Sequence, residues 1–177
     1  MRKIEVTPYN KQWAWMYEEE ANKLRLIFGE QLVAIHHIDS TSVRELDAKP
    51  IIDIMPVVND IKLVDEHNHF MQEIGYESKG ENRITGRRFF QKGGNNRTHH
   101  VHIFQVGSIE IERHLAFRDY LREHAKAVQE YGRLKQQLAQ QFPYNIESYI
   151  NGKNHLVLKI ERKAIEWKAS RNHKVTE

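Results

Sequence analysis

From Asn10 onward, apolar residues fall at Trp13, Tyr17, Ala21, Leu24 and Phe28, the three-and-four spacing of one helical face. Asn10 is placed to cap that helix and Gly29 to stop it. LVAIHHI (32–38) and KPIIDIMPVV (49–58) read as strands, and the second is apolar on both faces, so 51–58 belongs in a sheet interior. Asp60 is a cap for a helix through Leu63, Val64, His67, Met71 and Ile74, closed by Gly75. GYESKG, GRRFFQKGG and RTHHVHIFQVG then read as three strands of an antiparallel meander, divided by Gly and Asn turns. Past Gly107 the pattern is helical to about Phe142. Pro143 interrupts it, and a last helix is marked by Leu156, Ile160, Ala164 and Trp167. This order predicts an α/β chain of the α+β type, a mixed sheet covered by helices with a C-terminal helical segment.

A length of 177 residues suits one domain over 1–177, with the polar tail from about 169 expected to fray. At 40% apolar, 10% aromatic and 29% charged residues, the chain is neither mainly disordered nor collagen-like. Cysteine is absent, which excludes disulfides and thiolate metal sites. Lys plus Arg (27) barely exceeds Asp plus Glu (24), too small an excess for a surface that coats nucleic acid. A phosphate-bearing small ligand is compatible with it. No run approaches the roughly 18–20 apolar residues of a membrane span, and the basic start has no apolar stretch behind it, so a cytoplasmic protein with no membrane partner is expected.

Four segments could carry chemistry. Ser40, Thr41 and Ser42 follow a strand, where hydroxyls and backbone N–H groups can hold phosphate oxygens or simply form a cap and turn. Asp53 lies between Ile51, Ile52, Ile54 and Met55, and a carboxylate in so apolar a strand needs a partner, whether a metal, an Arg or a cap. In THHVHIF, strand alternation puts His100 and His102 on one face and His99 on the other, so the first two could share a ligand or metal. His114, Arg118 and Arg122 repeat every four residues on one helix face, either to clamp a triphosphate or to pair with Asp119 and Glu123. Lys49, Arg87, Arg88, Lys92, Arg97 and Lys153 supply further cations.

HIDSTSV, AKPIIDI (48–54), GYE (75–77), GRRFF (86–90), RTHHVHIF (97–104), RHLAFRDYLREH (113–124), YGRLK (131–135) and GK (152–153), in this order, resemble the GrpB (glutamate-rich protein B) family. That family is similar in fold to the nucleotidyltransferase superfamily, and the resemblance runs from about residue 6 to about residue 167. It implies a nucleotidyltransferase-like mixed sheet, a Gly-Ser loop for a nucleoside triphosphate, and strand carboxylates for divalent metal ions. In the implied reaction an acceptor hydroxyl attacks the alpha phosphate and pyrophosphate leaves.

Mapped onto this chain, Ser40, Thr41, Ser42, Lys49, Arg118 and Lys153 become ligand or phosphate residues, Asp53 and His102 catalytic candidates, and Asp53, His100 and His102 metal ligands. The metal would be magnesium or manganese, or zinc or another transition ion if the histidines ligate. Three positions depart from the pattern: Asp39 stands where the family usually has Gly, Met55 where a second carboxylate is common, and His36 where Glu is common. The expected partner is a nucleotide or other phosphorylated small molecule. Nucleotidyl transfer leads, with a His-rich metal-dependent hydrolase and a non-catalytic nucleotide-binding or interaction module as alternatives.

Overall fold

The computed structural model describes residues 2–174. Its chain contacts form two compact units. One comprises Asn10–Ile38 and Ile51–Ile111; the other takes the residues up to Tyr9, Asp39–Pro50 and the chain from Glu112 onward.

The first unit is built on a five-stranded sheet of β1 (Leu32–Ile38), β2 (Ile52–Val58), β3 (Tyr76–Ser78), β4 (Arg88–Lys92) and β5 (His99–Gln105), in the spatial order β1-β2-β5-β4-β3. Only β2 and β5 run parallel; β1–β2, β5–β4 and β4–β3 are antiparallel, which makes the sheet mixed and β3–β4–β5 a meander. Strand β2 is interior, flanked on both sides, because Ile52, Ile54, Met55, Val57 and Val58 are all buried and cover both of its faces. Helix α1 (Gln12–Phe28) buries Trp13, Tyr17, Ala21, Leu24 and Phe28, and its Tyr17 hydroxyl donates to the Ile35 carbonyl of β1 at 3.2 Å. The Asn10 side chain accepts from the Gln12 N–H, and Gly29 ends the helix at φ 52°. The expected helix after Asp60 is split: the Asp60 carboxylate does accept from the Lys62 N–H, but a 3-10 stretch at Ile61–His67 precedes the short α2 (Asn68–Glu73).

The second unit is helical. Its elements are α3 (Ile109–Glu123), whose first residues belong to the sheet unit, α4 (Ala125–Gln141) and α5 (Ile146–Lys174). The helical stretch expected from Gly107 to Phe142 is thus two helices. His124 leaves helical geometry at ψ 83° between them, and its Nδ1 lies 2.6 Å from the Tyr120 carbonyl of the preceding turn. Val43, Leu46, Phe117, Leu121, Val128, Tyr131, Leu156 and Ile160 form one core cluster of this unit. Helix α5 extends through the expected fraying region to Lys174, where Arg171 pairs with Glu123 at 2.7 Å and covers the Trp167 ring; residues 175–177 lie outside the described ones.

Candidate functional site

In the sheet unit, the parallel register sets Asp53 of β2 beside His100 of β5, and the two-residue period brings His102 to the same face. The Asp53 Oδ1 lies 2.9 Å from His102 Nε2 and 3.4 Å from His100 Nδ1. One ligand atom from each of these three residues lies within 4.8 Å of the others, the grouping of a candidate metal centre. Burial by itself would raise the Asp53 carboxyl, but the hydrogen bonds and charge of His100 and His102 outweigh it and hold Asp53 well below the usual carboxylate range.

Both imidazoles meet a guanidinium on their outer nitrogens. Arg97 Nη1 is 3.0 Å from His100 Nε2, and Arg87 Nη1 is 3.4 Å from His102 Nδ1. Guanidinium only donates, so each outer nitrogen accepts and each inner nitrogen carries the proton directed at Asp53. Arg87 is buried and fixed by the Glu81 and Asn82 carbonyls. The donor set of two nitrogens and one oxygen suits zinc or another transition ion better than magnesium.

The opposite face of β5 carries His99, which does not join this cluster. Its Nδ1 lies 2.8 Å from Thr98 Oγ1, while its buried Nε2 has no hydrogen-bond partner among the described residues. Nearby, Glu20 of α1 is buried and paired with Lys92 at 2.8 Å and Lys23 at 3.2 Å.

In the helical unit, the turn after β1 holds the three hydroxyls. Asp39 sits at φ 57°, ψ −160°, a region that is essentially glycine's and costs a side-chain-bearing residue about 1–3 kcal/mol. Its carbonyl accepts from the Ser42 N–H and hydroxyl, and its Oδ1 lies 3.6 Å from Nδ1 of the buried His114. Ser40 begins the 3-10 turn Ser40–Ser42, within which Thr41 and Ser42 are buried. The Ser40 hydroxyl is bonded to Lys135 Nζ at 2.8 Å, and Arg122 Nε donates to the Ser42 carbonyl at 3.0 Å.

Lys135 is 2% exposed. Its Nζ stands 4.3 Å from the centroid of the Tyr131 ring one turn earlier. Lys153 Nζ reaches the Tyr131 hydroxyl at 3.4 Å and lies 5.9 Å from the Tyr149 ring, over which Lys49 Nζ sits at 5.2 Å. Lys49, Lys135 and Lys153 are therefore gathered round two tyrosine rings. Of the basic stripe, His114 and Arg122 reach the 39–42 turn, while Arg118 is bonded to the neighbouring Asp119 at 2.8 Å.

Lys135, Arg87 and Arg97 are the side chains that sequence reasoning did not place in a site. Lys135 had a signal: it interrupts the buried stripe Val128, Tyr131, Leu138 of α4, where an apolar residue would be expected. The contacts of Arg87 and Arg97 depend on turns between strands and leave no periodic trace.

The GrpB protein family pattern matches residues 3–163. The chain is 50% identical to UPF0157 protein YqkA of Bacillus subtilis (strain 168) over 172 residues, which is 97% of this chain and 50% of that protein. It thus spans half the length of that relative. Glutamate-rich protein GrpB of Alkalihalophilus pseudofirmus is 32% identical over 154 residues, 84% of this chain and 88% of that one. Among solved structures, conserved protein GrpB from Enterococcus faecalis matches with a TM-score of 0.90 at 45% identity, covering 93% of this chain and 99% of the other. Cid1 in complex with its short product ApU matches with a TM-score of 0.53 at 12% identity, over 76% of this chain and 43% of that chain, a likeness of fold alone.

Proposed function

Since the chain belongs to the GrpB family and carries a nucleotidyltransferase-type fold, we propose that it binds a nucleotide or another phosphorylated small molecule and acts in metal-dependent nucleotidyl transfer. The observation that carries the binding reading is the gathering of Lys49 and Lys153 round Tyr131 and Tyr149, with Lys135 linking the Tyr131 ring to the Ser40 hydroxyl. Lysines collected in a partly buried setting suit a ligand of high negative charge, and the Ser40–Ser42 turn adds hydroxyl and backbone donors. The solved Cid1 poly(U) polymerase with MgGTP bound shares the fold, which supports a nucleotide as the ligand class. A phosphorylated metabolite as ligand goes with work in the cytoplasm.

Asp53, His100 and His102 would hold the divalent ion. Bound there, it would supply Lewis-acid charge to a phosphoryl oxygen. This chain's own contribution is to keep Asp53 ionised, while Arg87 and Arg97 orient both imidazole rings in a tautomer whose inner protons must move before a metal can bind. The same two-imidazole, one-carboxylate set favours one second reading, a metal-dependent hydrolase.

Calorimetric titration with the four ribonucleoside triphosphates and with inorganic tripolyphosphate, each with magnesium, manganese or zinc, tests the proposal. Binding of at least one triphosphate is expected, and Lys153→Ala should weaken it by roughly ten- to a hundredfold, the scale of one hydrogen bond to a charged group. No heat with any triphosphate or with tripolyphosphate would sink the phosphate-site reading. Turnover of phosphate esters with zinc, without nucleotide binding, would favour the hydrolase.

A further inference from the structure

The Ser40–Lys135 contact points to more than ligand binding. Lys135 is almost fully buried on α4, and Ser40 Oγ at 2.8 Å is its one hydrogen-bond partner among the described residues. A buried ammonium would leave two of its three N–H groups with only the Tyr131 ring face to meet. A neutral amine fits the same surroundings with a lone pair directed at the Ser40 hydroxyl. Burial, reinforced by the charge of Lys153, pushes the lysine well below its ordinary range, against the smaller opposing influence of Asp47 and Asp39.

The backbone around Ser40 supplies an independent sign. Ser40 is the first residue of a tight turn leaving strand β1, directly after Asp39 in its glycine-type conformation. The strain lies at Asp39, and the corner it forms presents the next residue's hydroxyl to a base, the pairing that activates a nucleophile. Ser40 is only half-buried, whereas its neighbours Thr41 and Ser42 are buried, so among the three hydroxyls it is the one open to an electrophile.

We propose that Ser40 and Lys135 form a serine–lysine nucleophile pair that attacks a phosphoryl centre. In the step, a Ser40 Oγ lone pair forms the new O–P bond while the hydroxyl proton passes to the Lys135 Nζ lone pair. The bond from phosphorus to its leaving group breaks, and that group departs with the bonding electrons and takes up the proton from Lys135. The choice of phosphorus as the electrophile rests on the phosphate-ligand reading above; the pair itself does not.

The test uses an alkyl fluorophosphonate, whose P–F bond breaks to release fluoride, with the full chain and peptide mapping by mass spectrometry. A phosphonyl adduct on Ser40 is expected in the wild type and none in Ser40→Ala. Lys135→Met removes the base, and Lys135→Arg keeps an N–H donor able to bond Ser40 but has no lone pair to accept its proton. In both variants labelling should slow by about 10²- to 10⁴-fold, the usual scale of general base assistance. Circular dichroism confirms that each is folded, and Lys135→Arg decides the matter if Lys135→Met is not. A folded wild type that gives no Ser40 adduct, or a Lys135→Arg variant that labels as fast as wild type, overturns the pair. Triphosphate titration of the same preparations keeps the two ideas apart: labelling without triphosphate binding leaves the pair and removes the phosphate site, and binding without labelling does the reverse.

Discussion

Two guanidiniums decide how the Asp53 cluster behaves. Arg97 and Arg87 donate to the outer nitrogens of His100 and His102, which obliges the inner nitrogens to hold protons against Asp53. A metal ion needs those inner lone pairs, so on binding each ring must move its proton outward, where it meets an N–H donor instead of the acceptor that metal-bound histidines usually find. Arg97 therefore opposes metal uptake. Arg97→Met should raise zinc affinity by about tenfold, toward the lower end of outer-shell effects, while Asp53→Asn should abolish it. Competition against a chromogenic zinc chelator reads both values, and unchanged or weaker binding by Arg97→Met would show that the guanidinium does not hold the tautomer. Some of this chemistry was legible residue by residue. Asp53 stood out as a charge in an apolar strand, whereas the charges of Glu20 and Lys135 inside apolar helical stripes went unread. The guanidiniums were not legible, because proximity between a loop and a strand has no sequence period.

Among the elements, the β4–β5 turn leads directly into the strand whose histidines the β2–β5 register sets opposite Asp53. Gly93 adopts φ 101° in that turn, its carbonyl accepts from the Asn96 N–H, and a Cβ on it would collide with the Asn96 carbonyl oxygen. Gly93→Ala thus meets both a strained conformation and a backbone clash. It should destabilise the fold by more than about 1 kcal/mol, seen as a lower urea midpoint, and loosen the pairing of Lys92 with His99 that precedes His100. An unchanged midpoint would mean that the turn can be rebuilt without that geometry. Strands were the easier elements to read, since β1, β2 and β5 are short and rich in apolar residues, and Gly75, Gly93 and Gly107 mark turns beside β3, β4 and β5. The helical region after Gly107 was harder. The break at His124 has neither Gly nor Pro to announce it, and it is fixed by contacts of the His124 ring with Tyr120 and Trp167, which no local pattern encodes.

For the molecule as a whole, the two compact units divide the candidate chemistry between them: the Asp53 cluster belongs to the sheet unit and the Ser40–Lys135 contact to the helical one. The sheet unit also contains a buried charge network, and it gives stability a definite dependence on pH. Burial alone would raise the Glu20 carboxyl, but the hydrogen bond and charge of Lys92, with the charge of His99, prevail and hold it below its ordinary value. A carboxyl lowered in the folded state binds fewer protons than in the unfolded chain, so its contribution is fully present above the unfolded value near 4.3 and is lost as pH falls through the folded one. Asp53 is lowered as well and acts in the same direction. Thermal melts should therefore show stability falling steadily below about pH 4. Glu20→Gln keeps the shape of the side chain and removes its charge; it should melt lower than wild type at neutral pH, with the gap closing in acid as the wild-type carboxyl protonates. A gap that stays constant between neutral pH and pH 3 would show that Glu20 acts through packing alone, and that the Lys92 pair contributes nothing to holding α1 on the sheet.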